Sequence, residues 1–155
     1  MLTANRYHDI SCGHRVVGHE GKCRHLHGHN YRVHFHCAAD KLDEVGRVID
    51  FGVIKSKLCQ WLEDNWDHKF LAWEQDDLLR GAFVCIAYNI TYDDKDAFQN
   101  SFVWVPFNPT AENMAQYLLD VVGPAQLNGT GVRLIRVSIE ETSKCSVTCG
   151  VHDAH

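Results

Sequence analysis

The segment Cys23-Arg24-His25-Leu26-His27-Gly28-His29 concentrates more potential chemistry than any other stretch of the chain. Two histidines at i and i+2 of an extended chain project to the same side. A neighbouring strand can add a third nitrogen donor, and His14 is the natural candidate. Three protein ligands with an open fourth position are the pattern of catalytic zinc, whereas structural zinc takes four protein ligands, often cysteines. The seven cysteines, at positions 12, 23, 37, 59, 85, 145 and 149, lack paired CxxC spacing. That favours a catalytic zinc site on His14, His27 and His29. The histidine content agrees, with 11 in 155 residues and a marked cluster between His14 and His36.

Cys23 lies between Lys22 and Arg24. Positive neighbours and a nearby cation favour the thiolate, which can act as base or nucleophile. A buried, inert role suits Cys12, Cys37, Cys59 and Cys85 better. Asp67-His68 is a second candidate pair, because a carboxylate can hold the tautomer of an imidazole and support its proton transfers. Adjacency in sequence does not by itself bring the two side chains face to face. Glu141 ends an apolar run, and a buried glutamate there would need a partner such as the donor groups of a ligand.

These residues must be held by a few elements. Residues 2–12 are strand-like, and 29–39 alternate clearly: Tyr31, Val33, Phe35 and Cys37 on one face, Arg32, His34 and His36 on the other. Phe51, Ile54, Leu58, Trp61 and Leu62 recur at helical spacing, with Asp50 as N-cap. A second helix is expected over 111–122, entered through Pro109 and the N-cap Thr110 and stopped by Gly123-Pro124. Strands are expected over 101–107, 132–139 and near 145–151. The segment 73–100 is the least readable, with 83–92 a candidate strand. The order is that of an α+β domain over residues 1–155, an antiparallel sheet covered by two helices on one face.

Composition narrows the functional class. The chain is 45% hydrophobic and 23% charged, with a net charge of -5, which supports a packed core and argues against a broadly basic nucleic-acid surface. No stretch approaches the ~18 apolar residues of a membrane span. The start lacks an apolar signal region. Scattered cysteines suit reduced thiols in a cytoplasmic protein.

Five ordered motifs then resemble one family. Ser11-Cys12-Gly13-His14-Arg15 with Cys23-x-x-x-His27-Gly28-His29-Asn30-Tyr31, Val48-Ile49-Asp50-Phe51, Asp67-His68-Lys69-Phe70-Leu71, Asn108-Pro109-Thr110-Ala111-Glu112-Asn113 and Ile139-Glu140-Glu141-Thr142 are similar to the 6-pyruvoyl- and 6-carboxy-tetrahydropterin synthases. The resemblance implies the tunnelling fold, in which subunits of a homo-oligomer join their sheets into a barrel. It implies zinc on His14, His27 and His29, a catalytic group of Cys23, Asp67 and His68, and a pterin anchor at Glu141. Thr110 and Glu112 would help wall the pterin pocket. Sites between subunits would let Asp67-His68 serve a neighbour's Cys23. Three residues between Cys23 and His27 resemble the 6-carboxy branch, which acts on 7,8-dihydroneopterin triphosphate in the queuosine route. Ile10 and Gly13 depart from the usual Phe and Ala. The alternatives are a 6-pyruvoyl synthase that only eliminates triphosphate, a pterin aldolase, and a non-catalytic zinc-stabilised pterin-binding protein.

Overall fold

The computed structural model describes residues 1–151. Strands β1 (Ala4–His14) and β2 (His27–Ala39) form a long antiparallel pair that runs in register from Ala4 opposite Cys37 to His14 opposite His27. β3 (Phe70–Trp73) joins β1 in parallel at Gly13 and Phe70, and β4 (Phe102–Val105) extends that edge in parallel. On the other side β5 (Val132–Thr142) pairs antiparallel with β2, and β6 (Cys145–Gly150) closes the order β4-β3-β1-β2-β5-β6. The expected antiparallel pairing therefore holds for β1, β2, β5 and β6. β3 and β4 run parallel because each is reached through a helical crossover.

The first long helix, α1, runs from Phe51–Ile54 through a π-turn, Lys55–Cys59, into Gln60–Asn65. Its cap is the expected one: Asp50 accepts a hydrogen bond from the Gly52 N–H at 2.7 Å. α2 (Asp77–Asn89) and α3 (Tyr92–Gln99) follow β3. α4 comprises Ala111–Tyr117, a π-turn at Leu118–Val122, and Gly123–Gln126, with Thr110 capping the Asn113 N–H.

The alternation read in β2 is the one observed. Tyr31, Val33, Phe35 and Cys37 are fully buried beneath α1 and α4, against Ile54, Leu58, Leu62, Met114 and Leu118. Burying such a set is the main favourable term in folding. Arg32, His34 and His36 lie on the other, helix-free face, where Arg32 pairs with Asp9 and His34 contacts Glu140.

Three local expectations change. Residues 83–89 belong to helix α2, not a strand. A short apolar run carries no period of its own, and here it is helical because Asp76 caps the helix and Phe83 packs on Phe98, Phe102 and Trp104. Gly123-Pro124 does not end α4: the preceding π-turn shifts the hydrogen-bond register, so the missing proline N–H is tolerated. Gly123 is needed for a close approach, since a Cβ there would lie 2.6 Å from Leu134 Cδ2. β3 is a strand that the sequence did not announce.

Candidate active site

The two long strands end together, and their ends carry the histidines. His14 is the last residue of β1, and His27 and His29 open β2. Strand alternation puts all three on the helix-covered face with Cys12 and Tyr31. One nitrogen from each ring lies within 4.8 Å of the others, and Nε2 of His14 and of His27 face each other at 3.1 Å.

The remaining ring nitrogens are fixed by main-chain carbonyls. Nδ1 of His14 is 2.6 Å from the Pro109 oxygen, and Nδ1 of His27 is 2.6 Å from the His25 oxygen. An Nδ1–H donated to each carbonyl leaves the Nε2 lone pairs facing inward, which is how metal-binding imidazoles are oriented. Nε2 of His29 is a buried nitrogen with no hydrogen-bond partner among the described residues; the Glu141 carboxylate lies 3.4 Å away, outside bonding geometry. Burial lowers the pKa of His14 and of His29 and so favours neutral rings. An unpaired nitrogen and two convergent lone pairs are a donor set that suits a borderline-soft divalent cation such as zinc.

Two further groups border the cluster. Glu141, near the end of β5, places Oε1 3.6 Å from Nε2 of His14. The Tyr31 hydroxyl is 3.2 Å from the same nitrogen. Burial, and then the neighbouring Cys12 and Glu141, push the Tyr31 pKa upward, so it stays a neutral phenol. Burial likewise raises the Cys12 thiol to about 12, in keeping with an inert role. Tyr31 was legible as a core position of β2 and as a residue of the family motif; its hydroxyl gave no separate signal.

Cys23 sits on a single 3-10 turn, Lys22–Arg24, in the loop that joins the histidine-bearing ends of β1 and β2. The Val16 N–H donates to the Cys23 carbonyl at 2.8 Å. Asn108 exchanges two hydrogen bonds with the main chain of Val17, which ties this loop to the segment that orients His14. Thr110 is used as a helix cap, and Glu112 is exposed in the first turn of α4.

Asp67 and His68 do face one another, with Nδ1 of His68 2.7 Å from Asp67 Oδ2. The Ser11 N–H holds the other carboxylate oxygen at 2.8 Å. Burial alone would raise the Asp67 pKa, but these hydrogen bonds outweigh it and hold the carboxyl below its usual range. His68 has a positive φ of 57°, a conformation that costs energy for a residue with a Cβ and clusters at functional sites. Its side chain is 82% exposed. It lines two grooves, of about 500 and 590 Å³, with Ser11 and Asn30, and His29 also lines the first.

The scaffold is an α+β sheet whose two long strands end in three convergent histidines that could hold a metal ion. Residues 3–151 match the 6-pyruvoyl tetrahydropterin synthase family, and the chain belongs to it. It is 36% identical over 149 residues to a Rickettsia felis protein named 6-carboxy-5,6,7,8-tetrahydropterin synthase, covering 95% of this chain and 99% of that one. A Rickettsia conorii protein of the same name is 34% identical with the same coverage. An uncharacterized protein from Wolinella succinogenes has the same fold, with a TM-score of 0.84 at 24% identity over 97% of this chain and 98% of that one. The Caenorhabditis elegans 6-pyruvoyl tetrahydropterin synthase superposes with a TM-score of 0.63, also at 24% identity, over 97% and 96% of the two chains. The expected tunnelling fold is therefore the fold of this chain. No described helix is long and apolar enough to cross a membrane.

Proposed function

We propose that this protein is a zinc-dependent 6-carboxy-5,6,7,8-tetrahydropterin synthase. It would convert 7,8-dihydroneopterin triphosphate to 6-carboxytetrahydropterin, with loss of triphosphate and acetaldehyde, in the cytoplasmic route to 7-deazaguanine (queuosine) nucleosides. The observation that carries this reading is the convergence of His14, His27 and His29, with one nitrogen left unpaired in a buried site. The names of the Rickettsia relatives, and the three-residue gap between Cys23 and His27, support the carboxy branch.

The roles follow from the chemistry of each group. His14, His27 and His29 would hold zinc, a Lewis acid that makes substrate hydroxyls and the adjoining C–H bond more acidic. Cys23, as thiolate, takes a proton from the substrate side chain. His68, its Nδ1 held by Asp67, presents Nε2 to exchange protons on the opposite side. The pair, with His68 82% exposed, serves Cys23 of an adjacent subunit in a homo-oligomer whose joined sheets form the barrel. Glu141 accepts hydrogen bonds from the pterin amino and ring N–H groups. It leans on the imidazoles here, so this role requires a side-chain rotation toward the pocket, since a pterin's amino end lies away from its C6 side chain. Thr110 and Glu112 border the entry of the pterin.

Incubating the zinc-loaded protein with 7,8-dihydroneopterin triphosphate and weighing the products tests this directly. 6-Carboxytetrahydropterin with acetaldehyde is the expected result. A product that keeps all side-chain carbons would move the protein to the pyruvoyl branch. Binding without turnover would make it a pterin-binding protein.

A further inference from the structure

The loop that carries Cys23 is held from a part of the chain that no motif reached. Asp76 is 1% exposed, although it is an aspartate. Buried carboxylates need charged or hydrogen-bonding partners, and Asp76 has two kinds. Arg15 grips both its oxygens, Nε to Oδ2 at 2.6 Å and Nη2 to Oδ1 at 3.0 Å. The Leu79 N–H donates to Oδ1 at 3.2 Å, so the same carboxylate caps α2. The third arm of the guanidinium, Nη1, donates to the Arg24 carbonyl at 3.0 Å. The Cys23 carbonyl next to it is held by the Val16 N–H. Two successive carbonyls of the Cys23 turn are therefore pinned, one of them only through Arg15. A guanidinium can do this because its donors form a rigid planar fork.

We propose that Asp76 and Arg15 are positioning residues for Cys23: Asp76, at the start of α2, sets the Arg15 fork, and the fork sets the turn that aims the thiol. The kinetic part rests on the function proposed above; the mechanical part does not. A fixed thiol matters because a misplacement of about 1 Å costs roughly 10²-fold in rate. The other hydrogen bonds of the turn are local, among them His25 N–H to the Lys22 carbonyl at 3.0 Å and Arg24 Nη1 to the Glu20 carbonyl at 3.2 Å, and Lys22, Cys23 and Arg24 contribute no buried residue.

The test uses Asp76→Ser, which keeps a capping oxygen for α2 but cannot reach Arg15. The double variant Arg15→Met with Asp76→Ser removes both charges together, so that no buried charge is stranded if one single variant misfolds. Hydrogen exchange resolved by residue should speed about tenfold or more at residues 22–25 and stay unchanged at 27–31, with zinc content retained. Turnover should fall about a hundredfold with KM changed by no more than about threefold. Unchanged exchange at 22–25 would overturn the clamp whether or not the protein turns over the pterin. Faster exchange with full turnover would overturn the positioning role. Loss of zinc in both variants would mark the pair as merely structural. If the wild-type protein shows no turnover while exchange responds as expected, the clamp stands and the assigned reaction fails.

Discussion

The histidine cluster and the Asp67–His68 pair are opposite solutions to placing imidazoles. His14 is 1% exposed, at a strand end, with Nδ1 tied to a carbonyl from another element. His68 is 82% exposed, on a left-handed residue between α1 and β3, with its neighbour Asp67 to orient it. The first brings one nitrogen from each of three rings of one chain within 4.8 Å of one another. The second leaves its imidazole facing outward. A metal centre must be rigid because its donor geometry is fixed by the ion. In the function proposed above, the exposed imidazole is completed only on assembly with a second subunit.

The largest expected effects come from separating the two centres. His27→Ala should lose both bound zinc and activity, whereas Cys23→Ala should keep zinc and fold while turnover drops ~10²–10⁴-fold. Metal analysis beside steady-state rates checks this. Zinc loss in Cys23→Ala would make the cysteine a ligand and collapse the contrast between metal holding and proton transfer.

A smaller effect tests whether the second centre serves a neighbour. Cys23→Ala and His68→Ala should each be nearly inactive alone. Mixed through reversible dissociation in equal amounts, they should recover about a quarter of wild-type activity, because random assembly unites an intact thiol with an intact imidazole in about one site of four. No recovery in oligomers shown by mass to be mixed would place both groups in one chain.

The smallest effect is on stability against pH. The folded-state pKa of His14 and of His29 is lowered by burial. Above the ordinary value of 6.5 both states are neutral and the stability of the folded chain is fully present. As pH falls below it, the unfolded chain takes up protons that the folded rings refuse, and stability declines. The zinc-free protein should therefore have a lower urea midpoint at pH 5 than at pH 7.5, and His14→Gln should flatten that slope. A pH-independent midpoint would show that the cluster is not held neutral by burial.

Much of the chemistry was legible without coordinates, for reasons particular to these residues. Period-two alternation from Tyr31 to Cys37 assigns faces unambiguously, so the i, i+2 pair His27 and His29 had to share one side. Asp50 and Thr110 announced their helices because a capping oxygen is a local requirement. The segment 73–100 was illegible because its structure depends on contacts distant in sequence: Phe83 is helical against Phe102 and Trp104. Gly123-Pro124, a local stop signal, was overruled by a π-turn.

The amino-acid sequence by itself determined the donor types, the sheet face that carries them and the family, since these follow from residue identity and strand period. Only the tertiary structure decided that His14 reaches the other two, that Pro109 and His25 turn their nitrogens inward, and that Asp76 grips the arginine behind Cys23. Those contacts join residues up to 95 positions apart. Local preference carries no information about such meetings, because they depend on how strands and helices pack.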